Sequence, residues 1–70
     1  MPNNNSMTAQ RLAEVLNDLI VEQNSLLNTI KATTDEKQFK MIEKEIQLNS
    51  AIIKNITKLF QLQSKKEAAN

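Results

Sequence analysis

Between Phe39 and Leu62 apolar residues return every three or four positions. Phe39, Ile42, Ile46, Ile53, Ile56 and Phe60 make one row, interrupted by Asn49. This spacing places side chains on one face of an α-helix. A second row, Met41, Leu48, Ile52, Leu59 and Leu62, runs beside the first. Together the rows span roughly 200° of helix surface, whereas a stripe of ~100° suffices to pack on one neighbour. The surplus belongs to the flank carrying the second row, beside the face that meets a neighbouring helix.

An earlier segment shows the same period. Ala9, Leu12, Leu16, Leu19, Gln23, Leu26 and Ile30 follow three-four spacing, and Ala13, Ile20 and Leu27 are expected to widen that edge. Arg11, Glu14, Asp18, Glu22, Ser25 and Asn28 lie opposite, and Val21 points away from the stripe. The pattern predicts an amphipathic helix over residues 7–32, with Ser6 or Thr8 as its N-cap.

The period breaks at Ala32, Thr33 and Thr34. Thr33-Thr34-Asp35-Glu36 reads as a capping box, in which Thr33 accepts from the third helical N–H and Glu36 reaches back. A second helix is predicted over residues 35–63, with Lys65 and Lys66 at its negative end. So short a connection makes the helices antiparallel neighbours. The predicted fold is all-α: an antiparallel two-helix hairpin over residues 7–64, oligomeric or partner-bound. Residues 1–6 are expected to be a disordered N-terminus and residues 65–70 a frayed C-terminus. Leu16, Leu19, Leu26, Ile30, Phe39, Ile42, Ile46, Ile53 and Ile56 are expected between the helices, with Phe39 and Phe60 as plugs at the two ends.

Gln23 and Asn49 interrupt the apolar seams. Either they fix register as buried amides can, or each sits at a wet edge. In a hairpin turning near residue 33, Gln23 faces the low-to-mid 40s, so the two amides are not expected to meet.

Composition narrows the chemistry. The 70 residues limit the chain to one small domain, and a core of that size is commonly supplemented by disulfides, metal or oligomerisation. With no Cys and no His, disulfides and the usual zinc sites are excluded, which leaves association. Without Gly, phosphate-cradling loops are not expected. The carboxylates and lysines lack the sheltered cleft that catalysis requires, so the reading is non-enzymatic, with no cofactor or metal.

Nine basic and eight acidic residues give a net charge of +1. Lys40, Lys44, Lys54 and Lys58 line the polar side of the second helix, but Glu36, Glu43 and Glu45 interleave with them. This reads as a solvated face rather than a nucleic-acid or membrane-surface site. Glu14, Asp18 and Glu22 read the same way, with a basic partner surface as the alternative. No apolar run approaches a membrane span, and the N-terminus lacks the pattern of a cleavable signal. The expected location is cytoplasmic.

Asp35-Glu36-Lys37-Gln38-Phe39-Lys40, followed by Glu43, Leu48 and the run Ser50-Ala51-Ile52-Ile53, resembles a known family. It is similar to the small co-chaperone subunit of the bacterial type III secretion needle chaperone. That family opens its second helix with an acidic residue, Gln and an aromatic, followed by a small-plus-aliphatic run. The turn here lacks the Gly often seen in the family. The resemblance implies a bacterial hairpin that packs on a larger tetratricopeptide-like chaperone. That chaperone holds the amphipathic helix of the needle subunit in its groove. The resulting heterotrimer keeps the needle subunit soluble and monomeric before export. Gln38, Phe39, Leu48, Ile52 and Ile53 occupy the matching positions.

The strip Met41, Leu48, Ile52, Leu59 and Leu62 is the candidate protein-binding surface, since large exposed apolar patches mark interaction sites. A weak homodimer of the isolated hairpin is also expected. The alternative is a self-assembling hairpin, a homodimer or four-helix bundle, of a small regulatory or phage protein.

Overall fold

The computed structural model describes residues 7–69, and within them the chain is two α-helices: α1, Ala9–Ala32, and α2, Glu36–Ala68. They pack antiparallel into an elongated hairpin of 52 × 20 × 14 Å. The expected hairpin is therefore the observed one. The N-terminal tail over residues 1–6, with the candidate cap Ser6, lies outside the described residues, as does Asn70.

Thr8 opens α1. Its backbone is extended, and its Oγ1 accepts the Arg11 N–H at 3.1 Å, pairing one of the donors that a helix start leaves free. The other end departs from the capping box. Thr33 closes α1 instead of opening α2: its N–H donates to the Ile30 carbonyl at 3.2 Å and its hydroxyl to the Thr29 carbonyl at 2.7 Å. That bond turns the Thr33 hydroxyl back toward α1, and Asp35 is the N-cap of α2, without a side-chain capping bond.

The far end of α2 also departs from expectation, continuing helically through Ala68. Lys65, Lys66, Glu67 and Ala68 are good helix formers, and this turn also makes a contact across the hairpin. The Glu67 carboxylate accepts the Ala9 N–H at 2.8 Å, and the same oxygen accepts Gln63 Nε2 at 3.1 Å. A carboxylate at the first amide of α1 sits at the positive end of that helix dipole. The last turn of α2 thus ties the two open ends together.

The seam between the helices is thin. Among the described residues only Leu12, at 3% exposure, and Asn49, at 7%, are buried. Leu16, Leu19, Leu26, Ile30, Ile42, Ile46, Ile53, Ile56 and Phe60 are half-buried along it. Phe39 is not the expected plug, retaining 41% exposure. It stands in the first turn of α2, opposite the end of α1 at Ala32, where little chain remains to cover an aromatic ring. Ala13, Ile20 and Leu27 are exposed rather than widening the seam, and Val15 is half-buried on the other edge instead.

Gln23 and Asn49 do meet, contrary to the sequence expectation. Asn49 Nδ2 donates to Gln23 Oε1 at 2.9 Å and to the Leu19 carbonyl at 3.1 Å. Gln23 Nε2 donates to Ser50 Oγ at 2.7 Å and, at 3.4 Å, to the Ile46 carbonyl. A side chain packed between helices inserts among several residues of the facing helix rather than meeting one. Gln23 accordingly sits among Ile46, Asn49 and Ser50, one turn beyond the position that counting from the loop suggests. No buried side-chain polar atom among the described residues lacks a partner.

Candidate docking surface on the second helix

The residues of α2 fall into two heptad seams. Phe39, Ile46, Ile53 and Phe60 recur at intervals of seven, as do Ile42, Asn49, Ile56 and Gln63, and these rows face α1. Met41, Leu48, Asn55 and Leu62 form another seven-residue series, and Glu45, Ile52, Leu59 and Lys66 a fourth. The second pair of series is centred roughly 100° around the helix from the first. One such seam is what a helix needs to pack on one partner, and α2 carries two.

The first seam is occupied by α1. The second is open: Met41 is 63% exposed, Leu48 67%, Ile52 47%, Leu59 50% and Leu62 64%. These five are the strip singled out in the sequence, and each keeps about half or more of its surface exposed beside the seam. Glu45, Asn55 and Lys66 are exposed alongside them.

Two shallow grooves follow this flank. One, of about 240 Å³, has Glu45, Leu48, Asn49 and Ile52 on its α2 wall and Leu19, Glu22 and Leu26 on its α1 wall. The other, of about 600 Å³, lies near the open end and is lined by Leu12, Ile56, Leu59 and Leu62, with Met7, Gln63 and Lys66. The strip is therefore continuous with the edge of the hairpin core. Ile20 and Leu27 line neither groove. By helical position they sit on the other side of the seam, the side from which Gln23 reaches Ser50.

The charged faces are ordinary. Arg11 pairs with Glu14 at 3.6 Å and Lys40 with Glu36 at 3.8 Å, both one turn apart and well exposed; such pairs add little stability. Lys44, Lys54 and Lys58 are exposed on α2. Among the described residues, no three acidic side chains converge in a metal-binding arrangement, and no helix is long and apolar enough to cross a membrane.

No family model matches the chain, and neither a curated protein nor a solved structure matches it.

Proposed function

We propose that the chain is a non-enzymatic docking module that offers the flank of α2 to a helix of a larger protein. The observation that carries this reading is the open heptad seam through Met41, Leu48, Ile52, Leu59 and Leu62, half or more exposed at nearly every position. Burying one such Leu or Ile is worth about 1.5–3 kcal/mol, so a few of them make a strong contact. A hairpin with so few buried residues gains more from such a contact than a domain with a full core would.

The partner fitting both the surface and the sequence resemblance is a tetratricopeptide-like chaperone, whose repeats present helices edge-on. In that setting the hairpin is the small co-chaperone of a type III secretion needle subunit. It acts in the bacterial cytoplasm, where the heterotrimer masks the subunit's aggregation-prone helix. Catalysis, a cofactor, nucleic acid and membrane play no part in this function.

The test is co-expression of the chain with a tetratricopeptide-like chaperone and the needle subunit of a type III secretion system. A soluble ternary complex is expected. Ile52→Asp should abolish co-purification, because it places an unpaired charge in the contact, while Lys54→Asp on the solvated face should leave it intact. Failure of all three chains to associate, or equal tolerance of both substitutions, overturns the co-chaperone reading.

A further inference from the structure

We infer that, without another partner, the strip on α2 is covered by the same strip of a second copy, running antiparallel about a two-fold axis near Asn55. The need for a cover comes from the hairpin itself, since Leu12 is its one buried apolar side chain among the described residues. Chains of this size without disulfide or metal commonly complete their core by association.

The choice of a second copy comes from the order of residues along the strip. It reads Glu45, Leu48, Ile52, Asn55, Leu59, Leu62, Lys66: an acid at one end, an amide in the middle and a base at the other. In an antiparallel pair centred on Asn55, each position meets a residue of the second copy to within one place. Leu48 lies opposite Leu62, Ile52 opposite Leu59, and Glu45 opposite Lys66. The two Asn55 amides face one another, as a polar residue in a helix seam does when it sets orientation. From Glu45 to Lys66 each apolar residue thus meets an apolar residue and each charge its opposite, while Met41 falls opposite Ala69, at the end of α2.

A parallel pair would set Glu45 against Glu45 and Lys66 against Lys66, which is repulsive at both ends. The antiparallel contact is isologous and closes on itself, giving a dimer rather than a filament.

Dimensions agree. The strip from Met41 to Lys66 is about 37 Å long at 1.5 Å per residue. A stable dimer buries about 800 Å² on each partner, roughly one-seventh of the 5845 Å² exposed by the hairpin. The second seam lies roughly 100° from the first, close to the right angle between neighbouring contacts of a helix in a four-helix bundle. The central pair would be α2 against α2, with each α1 outside it.

This dimer uses the surface assigned above to a larger partner but does not depend on that partner's identity. Binding of the larger protein would compete with it.

Sedimentation equilibrium of the full chain between about 1 and 300 µM is the test, with helix content followed by circular dichroism. A monomer–dimer equilibrium is expected; a monomer throughout overturns the dimer and leaves the larger-partner reading standing. Ile52→Asp should give a monomer that keeps its helix content, and unfolding of that variant would place Ile52 in the intrachain core and overturn the proposal. Glu45→Lys should weaken the dimer roughly tenfold, through its two symmetry-related contacts, and adding Lys66→Glu should restore it. Absence of that restoration overturns the register.

The chain has no native cysteine, so single substitutions report orientation directly. Under mild oxidation Asn55→Cys should form a covalent dimer and Leu48→Cys should not; efficient self-linkage through position 48 would mean a parallel pair and would overturn the antiparallel one.

Discussion

Gln23 and Asn49 are hydrogen-bonded across the hairpin, Asn49 Nδ2 lying 2.9 Å from Gln23 Oε1. Both N–H donors of each amide are engaged: those of Asn49 by Gln23 and the Leu19 carbonyl, those of Gln23 by Ser50 and the Ile46 carbonyl. The arrangement holds in one register only. Sliding α2 by a turn would leave Asn49, 7% exposed, with polar atoms against apolar neighbours. The pair interrupts an otherwise aliphatic seam, and in exchange it fixes how the helices align.

Removing one partner should therefore cost more than removing both. Asn49→Ala is expected to destabilise the chain by about 1–3 kcal/mol, because Gln23 loses a buried partner. The double variant Gln23→Leu with Asn49→Leu should regain that loss or exceed the starting stability, since the seam becomes continuous. Urea unfolding at one fixed protein concentration measures both. If the single variant is as stable as the parent, the network has no structural weight.

The clasp at the open end makes a different prediction. Glu67→Ala removes the acceptor of the Ala9 N–H and should lower stability by a few tenths of a kcal/mol, the range of exposed helix-terminus charges. That loss should shrink in high salt. Thr8→Ala, which removes the N-cap oxygen, should cost about 1 kcal/mol with weaker salt dependence. Amide exchange in the first turn of α1 separates the two: both variants should speed it, while exchange in the middle of α1 stays unchanged. Unaltered exchange near Ala9 in Glu67→Ala would show that the clasp does not hold in solution.

The lysines of α2 lead to a negative expectation. Phosphate binding needs clustered cations, and here Lys40 is already paired with Glu36 in a chain of net charge +1. At ~0.15 M salt, affinity for duplex DNA or single-stranded RNA should be no tighter than the 10⁻⁴–10⁻⁶ M of non-specific binding. A sub-micromolar complex in a fluorescence anisotropy titration would refute this.

The helices and the open strip were legible because each rests on periodicity along one helix, and the antiparallel pairing because the connection is too short for any other. What was not legible depends on how two helices fit together. Counting outward from the loop treats them as rods meeting residue to residue, and it set Gln23 one turn short of Asn49. Nothing in the pattern distinguishes the Val15 edge of α1 from the Ile20 and Leu27 edge; only the rotation of α1 about its axis decides that. The motif around Thr33 fits a capping box as well as the observed C-terminal bond to Thr29, and the two differ by local geometry alone. The clasp at the end of α2 joins Glu67 to Ala9, at the opposite end of the sequence. No local signal could announce that contact.

The ends of the seam supply the last prediction. Leu12 and Phe39 are both apolar residues in three-four rows, and volume alone would rank the phenylalanine as the more important. The structure reverses that order. Leu12 is 3% exposed near the open end, in the region that Glu67 ties together, whereas Phe39 keeps 41% of its exposure beside the turn. Leu12→Ala should cost about 2 kcal/mol, the low end for a buried leucine, because a thin hairpin can close partly around the gap. Phe39→Ala deletes more atoms, but fewer of them leave a packed environment on mutation, so its cost should stay under about 1 kcal/mol. Leu12 lines the groove that Leu59 and Leu62 share, so the two variants are compared at one low protein concentration, where the chain is monomeric. Urea midpoints for the two variants decide the matter. A larger loss from Phe39→Ala would mean that the ring is covered in solution and that the turn, rather than the clasped open end, is the firmer end of the hairpin.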